Sequence, residues 1–521
     1  MAGSRETGSF NLGLFNNRLL FTVSTLALSQ FNFGFEGMAF NSIQAMDDFI
    51  DMVGTKQPDG KIVIPSDWLS LFNGFSIVGF AAGLIVGNRI TEKFGRLWTI
   101  RIMSIWTIIC TTILITCRNR DQMMAGRALN YLYIGMELAV IPLYQAEITP
   151  LQNRGAMVAS YNTALNLGSL IMSLVCYGTS TIPGKTSYIL PIGLFYIIPT
   201  IVLISSIFMP ESPRWLALQG RYDEGLAALR QIRERKFSDD EIEEEFAIIR
   251  SVSESYTDNS TEKQGFFKRW LKIWSAKNIK RTGIVLATNF FLHGTGNAFA
   301  SMYGTIFYKS IGTINPFALS TIASCLVVFI SLATLILVDI IGRRPILLCG
   351  SFLQATALLI MGGLGMITAK TLSVSSGIIA MMMIFQMSYC AAWGQLSHTI
   401  TAELPSAEVR DLTYVTGSLL AISTQTAMTF GLPYLLNAPY AALGPRVGFI
   451  FGSLAALSFV FAFFCVPECK GKSLEEIDHL FNTKVPVLQF HKVKPDIAAV
   501  SEISKCAVED AKSMTVHQEK V

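Results

Sequence analysis

Long apolar stretches alternate with short polar segments along most of the chain. Twelve of these stretches approach the roughly 20 residues that an α-helix needs to cross the hydrocarbon of a bilayer. We number them spans 1 to 12, and they cover residues 19–40, 68–88, 98–117, 123–146, 156–177, 188–208, 283–307, 317–339, 346–368, 375–400, 412–436 and 447–466. The pattern predicts an all-α membrane protein with twelve transmembrane helices.

The polar segments divide the spans into two groups of six. We expect a cytoplasmic N-terminus over 1–18, a six-helix bundle over 19–209, a linker over 210–281, a second bundle over 282–467 and a cytoplasmic C-terminal tail over 468–521. Apolar residues recur in the linker at near-helical spacing, which predicts short amphipathic helices. They are Leu226, Leu229, Ile232, Phe246 and Ile249.

Composition supports a membrane protein, since 51% of the 521 residues are hydrophobic and only 15% are charged. The N-terminal residues have no apolar core followed by a cleavage site, so we expect span 1 to act as the insertion signal. Lys and Arg concentrate in the linker, which places it and both termini in the cytoplasm. "NST" at 259–261 matches a glycosylation acceptor, but on this side of the membrane it is expected to stay unused. The nine cysteines have no paired or metal-type spacing, so we expect neither disulfides nor a metal site.

Three motifs of the first half return in the second. "KFGRL" at 93–97 is echoed by "IIGRRP" at 340–345, and "PESPRWL" at 210–216 by "PECKGKSLEE" at 467–476. "AEITPLQNRG" at 146–155 is echoed by "AELPSAEVRD" at 402–411, and in both the Glu precedes an Arg by seven positions. Two similar six-helix halves with a site between them are typical of secondary transporters that work by alternating access.

These motifs, with "GRALNYLYIGMELAVIPLYQAEITPLQNRG" and "PECKGKSLEEIDHLF", resemble the signatures of the fungal sugar porter family of the major facilitator superfamily. The resemblance runs from about Asn32 to Phe481. It implies two six-helix bundles joined by a cytoplasmic helical linker, and a carrier rather than an enzyme. We expect no cofactor and no nucleic acid, and a monomer whose partners are a small-molecule sugar, protons and the lipid bilayer.

The resemblance also implies a cytoplasmic gate of ion pairs between the two bundles. Its candidate residues stand at the repeated motifs and are Arg96, Glu147, Arg154, Glu211, Asp339, Arg343, Arg344, Glu403, Arg410 and Glu468. Exposed pairs contribute about 0–1 kcal/mol each, so several must act together. The alternative is that these charges only orient the chain and solvate the helix ends. Leu97 replaces a second basic residue often found there, so we expect the first half of the gate to be the weaker.

Glu36, in "FNFGFEGMAF" at 31–40, is an acid inside span 1. A charge in mid-span costs about 2.5–3.5 kcal/mol, so it needs a partner or a proton. The resemblance implies that Arg127 of span 4 is the partner and that this acid, usually Asp in the family, couples transport to protons. The alternative is a static ion pair in a facilitator. Glu137, also in span 4, is a second buried acid that either shares this role or forms a structural hydrogen bond.

Sugar sites need amides, imidazoles and aromatic faces near the interface of the halves. By motif position the candidates for substrate binding are Asn162, His293, Asn297, His398 and Gln425. Two positions depart from the family pattern, since apolar residues precede His293 and "GQLSH" at 394–398 puts His398 where Trp is typical.

The function that we expect is proton-coupled uptake of a sugar, a hexose or small saccharide, across a fungal plasma membrane. The altered positions also permit a carrier for a polyol, a quinate-like solute or a secondary metabolite. A third possibility is a sensor that binds sugar without moving it, although the segment after Phe481 is short for a signalling tail.

Overall fold

A computed structural model describes residues 15–57, 60–150, 154–258, 270–312, 314–368, 371–406, 409–470, 474–483, 485–487 and 490. Within these ranges each half has six long helical segments. Spans 1 to 6 are Asn17–Ile43, Ser66–Phe94, Arg96–Ile115, Arg120–Ile148, Arg154–Thr179 and Thr186–Ser205. Spans 7 to 12 are Ile279–Gly294 with Asn297–Ile311, Pro316–Ile341, Arg343–Leu364, Leu372–Glu403, Arg410–Leu436 and Gly444–Cys465.

Eight helical stretches in the described part of the chain are long and apolar enough to cross a membrane by length and composition alone. Spans 1, 4, 5 and 7 complete the two sets of six. These four carry Glu36, Arg127, Asn162 and His293, which the sequence predicts to bind protons or substrate. Polar residues lower the hydropathy of spans 1, 4 and 5, whereas span 7 falls short in length because it is divided into helices of 16 and 15 residues.

Span 7 is broken, whereas the sequence predicts one continuous helix there. Its first part ends at Gly294 and its second begins at Asn297. Gly296 between them has φ +98°, which is the left-handed region that glycine adopts without strain. Span 10 also departs from a regular helix, with one π turn over Cys390–Gly394. Such turns are frequent at functional sites, and both irregularities lie in the second half.

Close backbone contact holds spans 2 and 4 together in the first half. Gly79 and Gly83 lie one turn apart on span 2, facing the carbonyl oxygens of Ala128 and Leu132. A Cβ at either glycine would stand 2.1 Å from that oxygen, so no larger residue fits. Small residues that let backbones approach are the usual basis of helix association in lipid.

The two halves contact each other in a symmetric way. Span 5 packs on span 8, and span 2 packs on span 11. In both contacts the fifth helix of one half meets the second helix of the other. Hydrogen bonds and an ion pair join the halves at the end away from the linker, where Ser70 Oγ donates to Phe430 O at 2.8 Å and Lys309 Nζ lies 2.5 Å from Asp47 Oδ1. We call this end the outer end and the opposite one the linker end.

A short element that the sequence did not predict follows span 1 at the outer end. It comprises the helix Asp47–Val53 and the antiparallel strands Thr55–Lys56 and Ile62–Val63. Asp48 accepts hydrogen bonds from the Gly184 N–H at 3.2 Å and the Ser187 hydroxyl at 3.1 Å, which fixes the element to the start of span 6.

The linker contains the predicted amphipathic helices, at Pro213–Leu218, Tyr222–Arg233 and Asp239–Asp258. Arg233 is 1% exposed, pairs with Glu245 at 3.0 Å and donates to Ile148 O at 2.8 Å, so the linker docks on the first half. The acceptor motif at 259–261 lies outside the described residues.

A last described helix, Leu474–Asn482, follows span 12, and its Asp478 pairs with the buried Arg281 at the start of span 7. The tail after residue 490 lies outside the described part of the chain.

Candidate functional site

The linker end of the first half contains a buried ion pair between Arg96 and Glu147. Arg96 donates from Nε to Oε2 at 2.8 Å and from Nη2 to Oε1 at 2.6 Å, and the side chains are 7% and 9% exposed. Ser212, from the loop after span 6, adds a hydroxyl that donates to Glu147 Oε2 at 2.5 Å. Two parallel bonds to a carboxylate give a guanidinium pair geometric specificity as well as strength.

Glu211 caps the first turn of span 3. Its carboxylate accepts the backbone N–H groups of Arg96 at 3.0 Å and Leu97 at 3.1 Å. These are among the N–H groups that a helix leaves without an intrahelical partner, and an acid there also faces the positive end of the helix dipole. Burial raises the pKa of the Glu211 carboxyl, and the backbone N–H groups that donate to it oppose that shift.

Gly95 makes this cap possible, so replacing it with Ala is expected to destabilise the protein by about 1–3 kcal/mol. Its φ is +94°, and an added Cβ would stand 2.6 Å from Glu211 Oε2. The thermal unfolding temperature of the purified protein in detergent measures the loss. Gly178→Ala is the control, since a Cβ there meets nothing within 4 Å. Equal unfolding temperatures for the two variants would show that the cap does not need glycine.

The second half repeats the arrangement at the start of span 9. Glu468 accepts the backbone N–H groups of Arg343 at 3.3 Å and Arg344 at 2.9 Å, after Gly342 with φ +102°. The equivalent ion pair is looser, because Arg343 Nη2 lies 3.8 Å from Glu403 Oε1 and the side chains are 20% and 27% exposed. The duplication seen in the motifs is therefore also a duplication of geometry.

The pairs that can be described lie within each half, whereas the sequence predicts a network between the halves. The geometry is tighter in the half with Leu97, which is the reverse of the expected order. Leu97 contributes its N–H, so the cap does not need a basic side chain there. The side chains of Arg154 and Asp339 lie outside the description, and Arg410 Nε is buried with no hydrogen-bond partner among the described residues.

Glu36 lies in span 1 and is 2% exposed. Its carboxylate accepts hydrogen bonds from two amides, Asn32 Nδ2 to Oε1 and Asn130 Nδ2 to Oε2, both at 2.6 Å. The carbonyl oxygens of both asparagines are buried and accept no hydrogen bond from the described residues. A side-chain amide has an NH₂ donor on one side and an oxygen acceptor on the other. Rotating either asparagine amide by about 180° would therefore let its oxygen accept a hydrogen bond from a protonated carboxyl.

Arg127 does not form the predicted ion pair with Glu36 in this structure. Its Nε donates to Phe72 O at 3.1 Å, and its guanidinium carbon lies 3.3 Å from the centroid of the Phe40 ring. Both groups line one small cavity of about 20 Å³, in which Asn130 also takes part. That is room for about one water molecule, so the two charged groups share a space without direct contact.

Four polar residues around the buried acids were missed in the sequence. Besides the two asparagines, Tyr133 accepts from Asn32 Nδ2 at 3.1 Å, and the Tyr161 hydroxyl donates to Glu137 Oε2 at 2.9 Å. The spacing held a signal for most of them, since Asn32 precedes Glu36 by one helical turn and Asn130, Tyr133 and Glu137 share one face of span 4. Tyr161 comes from another span, and no spacing rule could pair it with Glu137.

The five predicted substrate residues are all at least partly exposed. Asn162, His293, Asn297 and Gln425 are half-buried and His398 is exposed, and none of these five described side chains has a hydrogen-bond partner. The structure brings His293 and His398 within electrostatic range of each other. Asn297 opens the second part of span 7, directly after the break.

Other polar residues of this region are already engaged. Trp393 Nε1 donates to Ser351 Oγ at 2.9 Å, and Gln395 Nε2 donates to Ser331 Oγ at 2.6 Å. Trp393 and Gln395 are therefore held by contacts within the second half.

Comparisons with known proteins agree with this architecture. The sugar (and other) transporter family matches residues 22–481. The high glucose sensor RGT2 of Saccharomyces cerevisiae is 30% identical over 88% of this chain, which spans 60% of the sensor's length. The high-affinity gluconate transporter ght3 of Schizosaccharomyces pombe is 25% identical over 82% of this chain and 77% of its own.

A solved structure has the same fold. The inward-open xylose transporter XylE from E. coli superposes with a TM-score of 0.70 at 16% identity, over 89% of this chain and 99% of that one. The prediction of twelve transmembrane helices in two six-helix bundles is thereby confirmed. Since the family model matches most of its length, the chain belongs to the sugar (and other) transporter family.

Proposed function

We propose that this protein is a proton-coupled carrier that takes up a sugar, a hexose or small saccharide, by alternating access. The observation that carries the proposal is the buried acid Glu36, which shares a water-sized cavity with Arg127 inside a bundle of the sugar transporter family. A carboxyl so buried is stable either when protonated or when well paired. Its two amide partners can serve both forms, so the site can bind and release one proton.

The arrangement of contacts supports alternating access. The halves are joined at the outer end, through the Ser70 and Lys309 contacts, while the buried Arg96–Glu147 pair closes only within its own half. We assign this conformation to the state that releases substrate toward the linker. In the state that opens to the outer end, the gate charges of the two halves form ion pairs with each other and close the linker end. We expect the linker and both termini to lie in the cytoplasm, because Lys and Arg concentrate in the linker, and we expect the protein to act as a monomer in the plasma membrane.

The polar groups without partners support a polyhydroxylated substrate. Three amides and two imidazoles supply donors and acceptors without a fixed charge, which suits the hydroxyl groups of a sugar. The altered positions around His293 and His398 also suit a polyol, a quinate-like acid or another polyhydroxylated solute. The similarity to a protein named as a gluconate transporter supports these solutes as a second class of candidate substrate.

A sensor that binds sugar without moving it is a second candidate. It is favoured by the 30% identity to a protein named as a high glucose sensor. The two functions differ in one measurable respect, because a sensor accumulates no substrate whatever the pH gradient.

The test is uptake of labelled hexoses, disaccharides, polyols, quinate and gluconate in yeast without hexose carriers, with and without a protonophore. We expect concentrative uptake of a sugar, and a fall to simple equilibration when the protonophore removes the gradient. Uptake of a sugar that ignores the protonophore would overturn proton coupling. Uptake of quinate or gluconate alone would favour the second substrate class, and no transport by a protein that binds sugar would favour the sensor.

A further inference from the structure

Five polar side chains line the contact between spans 1 and 4, and we call them the polar seam. Asn32 and Glu36 lie one turn apart on span 1, and Asn130, Tyr133 and Glu137 lie on one face of span 4. All five are buried, with exposures between 0% and 4%. The asparagines join the two spans, since Asn32 Nδ2 donates to Glu36 at 2.6 Å and to Tyr133 at 3.1 Å, and Asn130 donates to Glu36 at 2.6 Å.

Glu137 ends the described seam with an incomplete set of partners. It is 0% exposed, and its Oε2 accepts one hydrogen bond, from the Tyr161 hydroxyl at 2.9 Å. Its Oε1 is buried, with no hydrogen-bond partner in the part of the chain that the structure describes. A buried carboxylate with a single donor is costly, whereas a proton on Oε1 removes the charge and supplies a donor. The geometry therefore favours a carboxyl that binds a proton.

The groups that face Glu137 come from several spans. Tyr133 of the same span lies within electrostatic range of both Glu137 and Glu36. Tyr161 comes from span 5. Tyr414 of span 11, in the other half, lies within electrostatic range of Tyr161. The titratable neighbours are thus three tyrosines and one acid, and none of these four is a cation that would hold Glu137 permanently ionised.

Glu137 lies between Glu36 and the linker end. Asn130, which holds Glu36, is seven residues before Glu137 on span 4, and this separates them by about 10 Å at about 1.5 Å per residue. The direction is toward Ile148, where span 4 ends beside the linker. Tyr161, which donates to Glu137, is half-buried and precedes the candidate substrate residue Asn162 on span 5.

We propose that Glu137, with Tyr161, is a second proton-binding site, which receives the proton taken up at Glu36 and releases it toward the linker end. This rests on the proton coupling proposed above. In the transfer the O–H bond of Glu36 breaks and one at Glu137 forms. Glu36 becomes the carboxylate and Glu137 the neutral acid, and water at the linker end then takes the proton.

The test uses the full chain in proteoliposomes, with a sugar identified in the uptake panel and the pH of each side varied independently. We expect Glu137→Gln to keep exchange of labelled for unlabelled sugar, because its amide oxygen still accepts from Tyr161. Its transport rate is expected to lose dependence on the pH at the linker end, while dependence on the outer pH remains. Accumulation across one pH unit, about tenfold for one proton in the wild type, should fall to about one.

Tyr161→Phe is the second variant, and it leaves the acid in place. Because the lost hydroxyl stabilises the carboxylate, the midpoint of the dependence on linker-end pH is expected to move to higher pH. A purely structural bond would lower the amount of folded protein without moving that midpoint. Glu92→Gln is the control, since this acid is 61% exposed at the linker end of span 2.

Two negative results separate the two proposals. If a gradient drives accumulation in the wild type but not in Glu36→Gln, and Glu137→Gln keeps its response to linker-end pH, then Glu137 is a structural acceptor and this inference is wrong. If the wild type transports sugar but shows no accumulation under any gradient, the proposed coupling fails and the second site fails with it.

Discussion

Replacing Glu36 with Gln is expected to remove proton-driven accumulation while leaving exchange of substrate across the membrane intact. A gradient of one pH unit is equivalent to about 1.4 kcal/mol per proton, which supports about tenfold accumulation by a carrier that moves one proton. Gln cannot carry that proton, so the accumulation ratio should fall from about ten to about one. No other single change discussed above has a larger expected effect on transport.

The variant is expected to fold, because the site can receive an amide. Asn32 and Asn130 have buried carbonyl oxygens without partners, and a half-turn of either amide presents that oxygen to the new NH₂ group. Loss of accumulation would then be a loss of coupling and not of protein. Protein level and exchange of labelled for unlabelled sugar check this directly.

Uptake of labelled sugar into proteoliposomes at fixed pH gradients measures the ratio. Glu92→Gln makes the same chemical change at a surface acid and should accumulate like the wild type. A Glu36→Gln protein that still concentrated sugar under the gradient would show that the proton is carried elsewhere.

Replacing Arg96 with Ala is expected to destabilise the protein by about 3–5 kcal/mol, because Glu147 is then left buried without its cation. The two side chains are 7% and 9% exposed and are joined by two hydrogen bonds. Arg343→Ala is the matched comparison from the other half. Its pair is 3.8 Å long and more exposed, so a loss of about 1 kcal/mol is expected.

Thermal unfolding of the purified variants in one detergent gives the order of the two losses. The double variant of Arg96 and Glu147 should lose less than the sum of the single variants, because each single change strands a charge that the double change removes. Equal losses of stability for Arg96→Ala and Arg343→Ala would show that burial of the Arg96–Glu147 pair does not determine how much it stabilises the protein.

Much of the architecture could be read from the chain, since helix length in lipid and the need to bury backbone polar groups leave few choices. The repeated motifs contain the residues of the two helix caps, Gly95 with Glu211 and Gly342 with Glu468, but the sequence predicted gate charges there and not caps. The sequence did not reveal how the gate charges pair. That depends on distances between helix ends, and in this conformation the described pairs close within each half.

The acid sites show the same division. Glu36 stood out because a carboxyl in a span is costly, but its observed partners are amides and not Arg127. The guanidinium instead lies over the Phe40 ring and binds Phe72 O, contacts that no spacing rule contains. The break in span 7 had a local signal in "GTG" at 294–296, yet hydropathy alone averages over it.

By itself the sequence determined the family, the twelve spans, the duplication and the identity of the buried acids, because hydrophobic length and motif register are local properties of the chain. Only the tertiary structure decided which groups meet. It placed Tyr161 on Glu137, amides on Glu36, and the junction of the halves at the outer end. These contacts join residues that are distant in sequence, and they depend on how the spans are rotated and packed against one another.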